Sequence, residues 1–238
     1  MDSRESEIEY CKAHGIHLPF SADTSYSRDR NIWHISHEGL ELEKPSLAPN
    51  FDHLLVLSNA PEKAPDEDTH IEIEWEKGVP VALNGKKMSQ TAILEELNEL
   101  GGKNGIGIID IVENRVVGMK SRGVYETPGG TILMEAHRQL EELVLDRETL
   151  KYKRLVSVEF AELVYAAKWF SPLREALSAF VSKTQEVVSG TTKMRLYKGN
   201  IIKEGTTSPY SLYDEDIASF ATGDLYDHHD AEGFITLY

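Results

Sequence analysis

The amino-acid sequence predicts an α+β fold, in which an antiparallel sheet and grouped helices form a single domain. Short apolar segments that alternate with polar residues are separated by tight-turn dipeptides, which is typical of antiparallel strands. After Pro128, three helical stretches follow one another without a strand between them. A strict alternation of strand and helix, which would indicate a parallel sheet, does not occur in the 238 residues.

The N-terminal part is predicted to hold one short helix followed by irregular chain. The segment Asp2-Ser3-Arg4-Glu5 has the form of a capping box and Gly15 is a stop signal, so we expect a helix at about 3–14. Prolines interrupt the region 16–50, which is predicted to be a long loop. Long loops inside compact domains are often functional, so this region is a candidate for ligand contact.

A meander with one buried face is predicted next. Apolar residues alternate with glutamates over 71–76, and the dipeptides Lys77-Gly78 and Asn84-Gly85 are turn signals on either side of a second apolar strand. Ser89 then caps an amphipathic helix, which is expected to end at Gly101-Gly102.

The second half of the chain is predicted to form a strand pair, three helices and a final hairpin. The strand pair is expected at about 106–112 and 115–119, and the helices at about 132–145, about 157–168 and from Pro172 onward. The helix 157–168 is the most apolar and is expected deep in the core. The remaining predictions are a hairpin of 192–196 with 200–203, a short helix at about 214–220 and an end strand at 233–238.

Composition excludes several classes of partner. The chain has 40 acidic and 25 basic residues, a formal net charge of −15, which argues against binding nucleic acid or an anionic membrane surface. No apolar run approaches the roughly 20 residues of a membrane helix. A polar, acidic N-terminus and a single cysteine predict a cytoplasmic protein without disulfides.

One segment departs from this acidic character, D-I-V-E-N-R-V-V-G-M-K-S-R-G-V-Y-E-T-P-G-G at 110–130. A predicted strand ends on the carboxylate Glu113, which is followed by three cations, at positions 115, 120 and 122, and by the hydroxyl of Tyr125. These groups on strand ends and tight turns suit a small zwitterionic or anionic ligand. A solvated hairpin with a charged rim explains the same composition equally well.

No motif predicts a metal site or a nucleophile. His34 and His37 stand beside Glu38, but the pattern is not H-E-x-x-H and no third ligand is spaced nearby. The segment His228-His229-Asp230 indicates a surface turn. Neither a phosphate loop nor a nucleophile with an adjacent base is present, which disfavours a self-contained hydrolase.

Several long strings point to one known family. They are the segment 110–128, H-I-S-H-E-G at 34–39, A-P-D-E-D-T-H-I-E-I-E-W-E-K-G-V-P-V at 64–81, F-A-E-L-V-Y-A-A-K-W-F-S-P at 160–172, S-P-Y-S-L-Y at 208–213 and D-A-E-G-F-I at 230–235. Through them the sequence resembles argininosuccinate synthase over nearly its whole length.

The resemblance implies that 1–238 is the C-terminal synthetase and multimerisation domain, with 16–50 as a substrate-contacting loop region. The family condenses citrulline and aspartate to argininosuccinate in arginine biosynthesis and the urea cycle, and it uses ATP with Mg²⁺. Its pyrophosphate-binding motif S-G-G-x-D-T and its C-terminal arm are not found in this sequence. We therefore expect this chain to be the citrulline-binding half of the enzyme and to be inactive alone. Its expected partners are the nucleotide-binding half and, in a homotetramer, further copies of itself. The alternative is a non-catalytic binding or assembly module derived from that domain.

The resemblance also implies four citrulline contacts, Ser27, Ser36, Glu113 and Tyr125, and no catalytic residue in this half. The residue types fit, because a carboxylate pairs with the substrate ammonium and hydroxyls both donate and accept hydrogen bonds. Two departures from the family pattern are Ile108, where relatives commonly have Arg, and S-Y-S-R-D-R around Ser27, which replaces P-W-S-x-D-x-N.

Overall fold

Two antiparallel sheets and a set of helices form the structure, a computed structural model that describes residues 4–18, 25–218, 227 and 229–238. The strands are β1 Ser27–Arg30, β2 Ile35–Glu38, β3 Thr69–Glu76, β4 Val79–Leu83, β5 Lys86–Lys87, β6 Ile108–Asn114, β7 Lys120–Glu126, β8 Gly190–Tyr197 and β9 Asn200–Thr207. The helices are α1 Arg4–Ala13, α2 Phe51–Leu54, α3 Gln90–Lys103, α4 Pro128–Val144, α5 Arg147–Tyr165, α6 Pro172–Thr184 and α7 Asp230–Leu237. Among the described residues, 3₁₀ turns lie at Leu40–Glu43, Pro61–Lys63 and Gln185–Val187.

The strands divide into a four-stranded and a five-stranded sheet. The four-stranded sheet has the order β1-β2-β7-β6, and the five-stranded sheet has the order β5-β4-β3-β8-β9. Every pairing within them is antiparallel. The predicted α+β class is thereby confirmed.

The main core lies between the five-stranded sheet and helices α3 and α4. Alternate residues of β3 face it, so Ile71, Ile73 and Trp75 are buried while the glutamates between them are not. Helix α4 contributes one apolar stripe with the spacing of an amphipathic helix, which includes Ile132 and Leu140.

A second, smaller core lies on one side of the four-stranded sheet. It consists of Tyr26, Leu42, Leu54 and Val124, and it fixes the rear face of that sheet. We use "rear face" for this side and "front face" for the opposite side, where the polar residues described below are found.

The region 16–50, predicted to be a loop, contains regular structure. Its described part holds β1, β2 and a 3₁₀ turn, so the prediction of irregular chain is wrong there. The strand S-R-D-R has no apolar alternation, since all four of its residues are polar and none of them is fully buried. The predicted N-terminal helix is confirmed as α1, although Asp2, Ser3 and the proline at 19 lie outside the described residues.

Two boundaries near the centre differ from the prediction. The segment 115–119 is a turn rather than a strand: the Arg115 N–H donates to the Met119 carbonyl at 2.8 Å, and Gly118 has a φ of 86°. Its apolar residues mimic a strand but are exposed. Helix α3 does not end at Gly101-Gly102, because these glycines are sites of close packing against neighbouring chain rather than of termination.

The C-terminal predictions are the least accurate. Helix α5 begins ten residues earlier than predicted and lies at the surface, with only Val156 and Leu163 buried, so its predicted place deep in the core is wrong. The predicted end strand is instead α7. Residues 215–218 form turns, and the last two positions of the helix predicted at 214–220 lie outside the described residues. No helix formed by the described residues is long and apolar enough to cross a membrane.

Candidate functional site

The front face of the four-stranded sheet collects the residues predicted to bind the substrate. In an antiparallel sheet, residues directly opposite each other point to the same face. Ser36 is opposite Tyr125, and Ser27 is opposite Glu38. Since alternate residues share a face, Ser27, Ser36, Glu113 and Tyr125 all belong to the front face.

Three of these four residues line one cavity of about 630 Å³, namely Ser36, Glu113 and Tyr125. Ser27 does not line it, but its partner across the strand pair, Glu38, does. The other polar or charged lining residues are Asp29, His34, Glu38, Arg115, Ser121 and Tyr165. The cavity therefore offers carboxylates, hydroxyls and one guanidinium to a small polar ligand.

Tyr125 and Glu113 form the tightest contact in the cavity. The Tyr125 hydroxyl donates to Glu113 Oε1 at 2.6 Å. Burial of the phenol, and secondarily this bond to a carboxylate, raise the pKa of Tyr125 well above its usual value. The hydroxyl therefore stays protonated and orients the carboxylate. Gly123 leaves space for the ring, since a Cβ there would lie 3.1 Å from it.

Ser36 is held by backbone on the adjacent strand. Its hydroxyl accepts from the Asp29 N–H at 3.3 Å and lies 3.4 Å from the Asp29 carbonyl oxygen. Ser36 is buried, so its position in the cavity wall is defined by the β1–β2 pairing. A hydroxyl held in this way presents its remaining hydrogen-bonding capacity to a ligand.

The three cations of the 110–130 segment do not act together. Arg115 lines the cavity and pairs with Glu38 at 3.2 Å, a contact that is largely exposed on both sides. Arg122 faces the rear, where it forms a bidentate pair with Asp110 at 2.8 and 2.6 Å. Lys120 lies two residues before Arg122 on the same strand, so it shares the rear face with Arg122 and does not line this cavity. Period-two alternation thus separates residues that are close in sequence.

His37, considered above as half of a metal site, is a buried structural residue. Its Nε2 lies 2.7 Å from Glu126 Oε1, and both side chains are fully buried. Burial would raise the pKa of Glu126, but hydrogen bonds from His37 and from three backbone N–H groups, 56–58, hold it below its usual value. Within the described ranges, no group of three or more His, Cys, Asp or Glu side chains could hold a metal ion.

A larger cavity, of about 740 Å³, lies between α4 and α5 and contains none of the predicted site residues. Its charged side chains are paired within the protein: Lys153 contacts Glu141 at 3.0 Å, and Arg138 contacts Glu135 at 2.6 Å. The smaller cavity on the front face has the chemistry that the sequence predicts, and we therefore take it as the candidate site.

Some lining residues were missed by the sequence reasoning. Asp29 and Glu38 each lie two residues from a predicted serine, so strand alternation could have found them. Tyr165 comes from the end of α5, where its hydroxyl donates to the Asn114 carbonyl at 3.3 Å. No local signal links that helix to the sheet.

The family model and the curated relatives that match this chain all belong to one family. Residues 26–238 match the family model described as "Arginosuccinate synthase C-terminal domain". The whole chain is 73% identical to the argininosuccinate synthase of Lachnoclostridium phytofermentans, 72% to that of Agathobacter rectalis and 58% to that of Brachyspira hyodysenteriae. It spans only 58%, 58% and 59% of the length of these three relatives.

Proposed function

The chain belongs to the argininosuccinate synthase family through its C-terminal domain, and on that premise we propose that its front-face cavity binds citrulline. The enzyme containing it is then an ATP-dependent ligase that condenses citrulline and aspartate to argininosuccinate in arginine biosynthesis. The observation that carries this proposal is the cavity in which Ser36, Glu113 and Tyr125 meet.

The groups in the cavity suit the groups of citrulline. Glu113 pairs with the α-ammonium by a charge-assisted bond, and Tyr125 holds that carboxylate in place. The α-carboxylate of citrulline replaces Glu38 as the partner of the Arg115 guanidinium. The Arg115–Glu38 ion pair that it replaces is exposed and therefore weak. Ser36, with Ser27 further along the sheet, supplies a hydroxyl that can donate to or accept from the ureido group.

The role of this half is to position the substrate rather than to react with it. In the proposed reaction the ureido oxygen attacks the α-phosphate of ATP and pyrophosphate leaves. The aspartate amine then bonds to the ureido carbon, loses a proton and displaces AMP. Holding the ureido group in line for the first attack lowers the entropic part of its barrier.

ATP and Mg²⁺ are assigned in this proposal to the nucleotide-binding half. The 238 residues contain no S-G-G-x-D-T motif, and no described cluster of acidic or imidazole side chains fits a metal ion. No step is therefore attributed to Mg²⁺ at the front-face cavity. We further propose that the chain works in the cytoplasm and as part of a homotetramer, in the company of the nucleotide-binding half.

Direct titration tests the proposal. Citrulline is titrated into the chain, alone and mixed with a separately produced nucleotide-binding half, and the heat of binding is measured. We expect saturable binding of citrulline, and binding of 5-ureidopentanoate, which lacks the ammonium, that is weaker by a factor on the order of 10–1,000. Equal binding of the two compounds, or no binding of either with the other half present, contradicts the proposal.

A further inference from the structure

Three polar side chains form a continuous hydrogen-bonded chain on the rear face, directly behind the cavity. Arg28 Nε donates to His37 Nδ1 at 3.0 Å, so the His37 proton is on Nε2, which donates to Glu126 at 2.7 Å. The three residues come from β1, β2 and β7, which are neighbours in the sheet. The chain of bonds therefore crosses three strands from side to side.

The same side chains clamp one segment of backbone across the rear of the sheet. The Arg28 guanidinium donates to the carbonyl oxygens of 53 and 54, at 3.2 and 3.4 Å. Glu126 accepts from the N–H groups of 56–58, at 2.8, 2.8 and 2.6 Å. A fully buried carboxylate with four donors is expensive to disturb, since each donor left without an acceptor costs free energy.

On two strands, a residue of this rear network is next in sequence to a residue of the cavity. His37 follows Ser36, and Glu126 follows Tyr125, so each rear residue is the immediate neighbour of a front-face hydroxyl residue. Ser36 and Tyr125 are also directly opposite each other across β2 and β7. A bond between His37 and Glu126 therefore fixes how far β2 and β7 shift along each other, and with that the relative positions of the two front hydroxyls.

We propose that Arg28, His37 and Glu126 are positioning residues for citrulline, which set the geometry of Ser36 and Tyr125 without touching the ligand. This inference rests on the proposed function for the identity of the ligand. If these residues only stabilise the fold, substitutions that lower the free energy of unfolding by the same amount should lower citrulline affinity by the same factor, wherever they lie. If they position the front-face hydroxyls, then among variants outside the cavity citrulline affinity should fall only in those that lose the hydrogen bonds of Glu126 and His37.

The test uses variants that keep shape and change hydrogen bonding. Glu126→Gln replaces one acceptor oxygen by an amide group that faces N–H donors, and we expect citrulline affinity to fall by a factor on the order of 10–100. His37→Gln can still donate to Glu126 and is expected to bind several-fold more tightly than His37→Leu. Glu141→Gln is the matched control: it alters another buried carboxylate, which belongs to α4, contacts Lys153 and Gln185 and does not line the front-face cavity.

Two measurements are made on the complete chain mixed with the nucleotide-binding half, namely citrulline affinity and the ¹³C resonance of the Tyr125 ring, assigned by its loss in Tyr125→Phe. We expect Glu126→Gln to shift that resonance and lower the affinity, and Glu141→Gln to lower the melting temperature without doing either. Because the resonance needs no ligand, it tests the positioning role even if the parent fails to bind citrulline, an outcome that contradicts only the proposed function.

The inference is overturned if Glu126→Gln leaves both the resonance and the affinity unchanged, or if Glu141→Gln changes them as much. Should Glu126→Gln fail to fold, the two His37 variants decide by the same resonance. If His37→Gln and His37→Leu then shift the Tyr125 resonance equally, the His37–Glu126 hydrogen bond has no specific role and the inference is overturned.

Discussion

At the scale of single residues, Glu113 is the position at which the proposed role in ligand binding can be tested apart from folding. Its carboxylate lies in the cavity wall and accepts from Tyr125, and it makes no contribution to either apolar core. We expect Glu113→Gln to lower citrulline affinity by a factor on the order of 10–1,000 while the melting temperature moves little. Titration calorimetry and thermal unfolding of the same samples check this.

Glu96→Gln is the control for Glu113→Gln, because Glu96 is exposed on α3 and lies outside the cavity. This variant should match the parent in both measurements. If Glu113→Gln keeps the parent's affinity, or if it unfolds the chain, the cavity has been assigned to the wrong carboxylate.

Asp110 shows the opposite case, a charged residue of the same segment that serves the fold. Arg122 holds the pKa of Asp110 below its usual value, and the guanidinium also donates to the carbonyls of 44 and 47. Because the pKa is lower in the folded chain, the stabilisation is fully present above the ordinary value of about 4 and is lost as the pH falls through the folded-state pKa.

The prediction for Asp110→Asn is therefore a stability loss that depends on pH. At pH 7 we expect the free energy of unfolding to fall by roughly 1–2 kcal/mol, and the difference from the parent to shrink in strong acid. Urea unfolding at several pH values measures it. Asp66→Asn, which breaks an exposed pair with Lys198, should have almost no effect; a constant loss for Asp110→Asn at all pH values would refute the assigned cause.

At the scale of elements, helix α5 carries an exposed apolar strip. Tyr152, Leu155 and Val158 lie three residues apart on one face of the helix and are each more than half exposed. Contiguous apolar surface of this kind promotes association. We expect the chain to self-associate at high concentration, and the double variant Leu155→Lys, Val158→Lys to reduce this association.

Light scattering over a concentration series measures the association. Ile16→Lys, a change at an exposed apolar residue after α1 and outside the strip, should leave the concentration dependence as in the parent. A parent chain that stays monomeric over the whole series contradicts the assignment of the strip as a contact surface.

The sequence predicts an element well when the pattern that indicates it lies within the element itself. The meander of β3 and β4 has alternation and turn dipeptides, and the cap residue Ser89 accepts from a backbone N–H group as predicted. The region containing β1 and β2 has no such signal, since its strands are short and mostly polar. The apolar turn 115–119 and helix α5 were misjudged because apolar character indicated burial, whereas both are exposed.

The candidate site was predicted in part for a similar reason. Glu113 and Tyr125 could be grouped from sequence because they stand in one short segment, but their shared face follows from the register of β6 with β7, which begins after the strand predicted at 115–119. That Ser36 joins them depends on pairing between β2 and β7, which are distant along the chain. Arg122 lies three residues before Tyr125 on β7 and therefore points to the rear face, a separation that composition alone does not reveal.

At the scale of the whole molecule, the 238 residues are expected to bind substrate without turning it over. Phosphoryl chemistry depends on a cradle of backbone amides and on Mg²⁺, and the sequence holds no such phosphate motif. We expect no citrulline-dependent release of pyrophosphate from the chain alone, and release once a nucleotide-binding half is added. A preparation of the Glu113→Gln chain, assayed in parallel, shows whether host enzyme contributes.

Two outcomes separate the rival functions. Turnover by the purified chain alone would contradict the assignment of ATP chemistry to the other half. Citrulline binding with no turnover under any mixture favours the non-catalytic binding or assembly module.

The pairing of β3 with β8 has a consequence for how the protein is made. Thr69 pairs with Leu196 and Trp75 with Gly190, so helices α3 to α6 are all synthesised between the two partners. While the ribosome translates those helices, β3 has an open edge next to its apolar face, and such edges recruit other chains. Premature termination anywhere before β8 should therefore give an aggregating product instead of a smaller folded one, and chaperone demand should be highest just before β8 emerges.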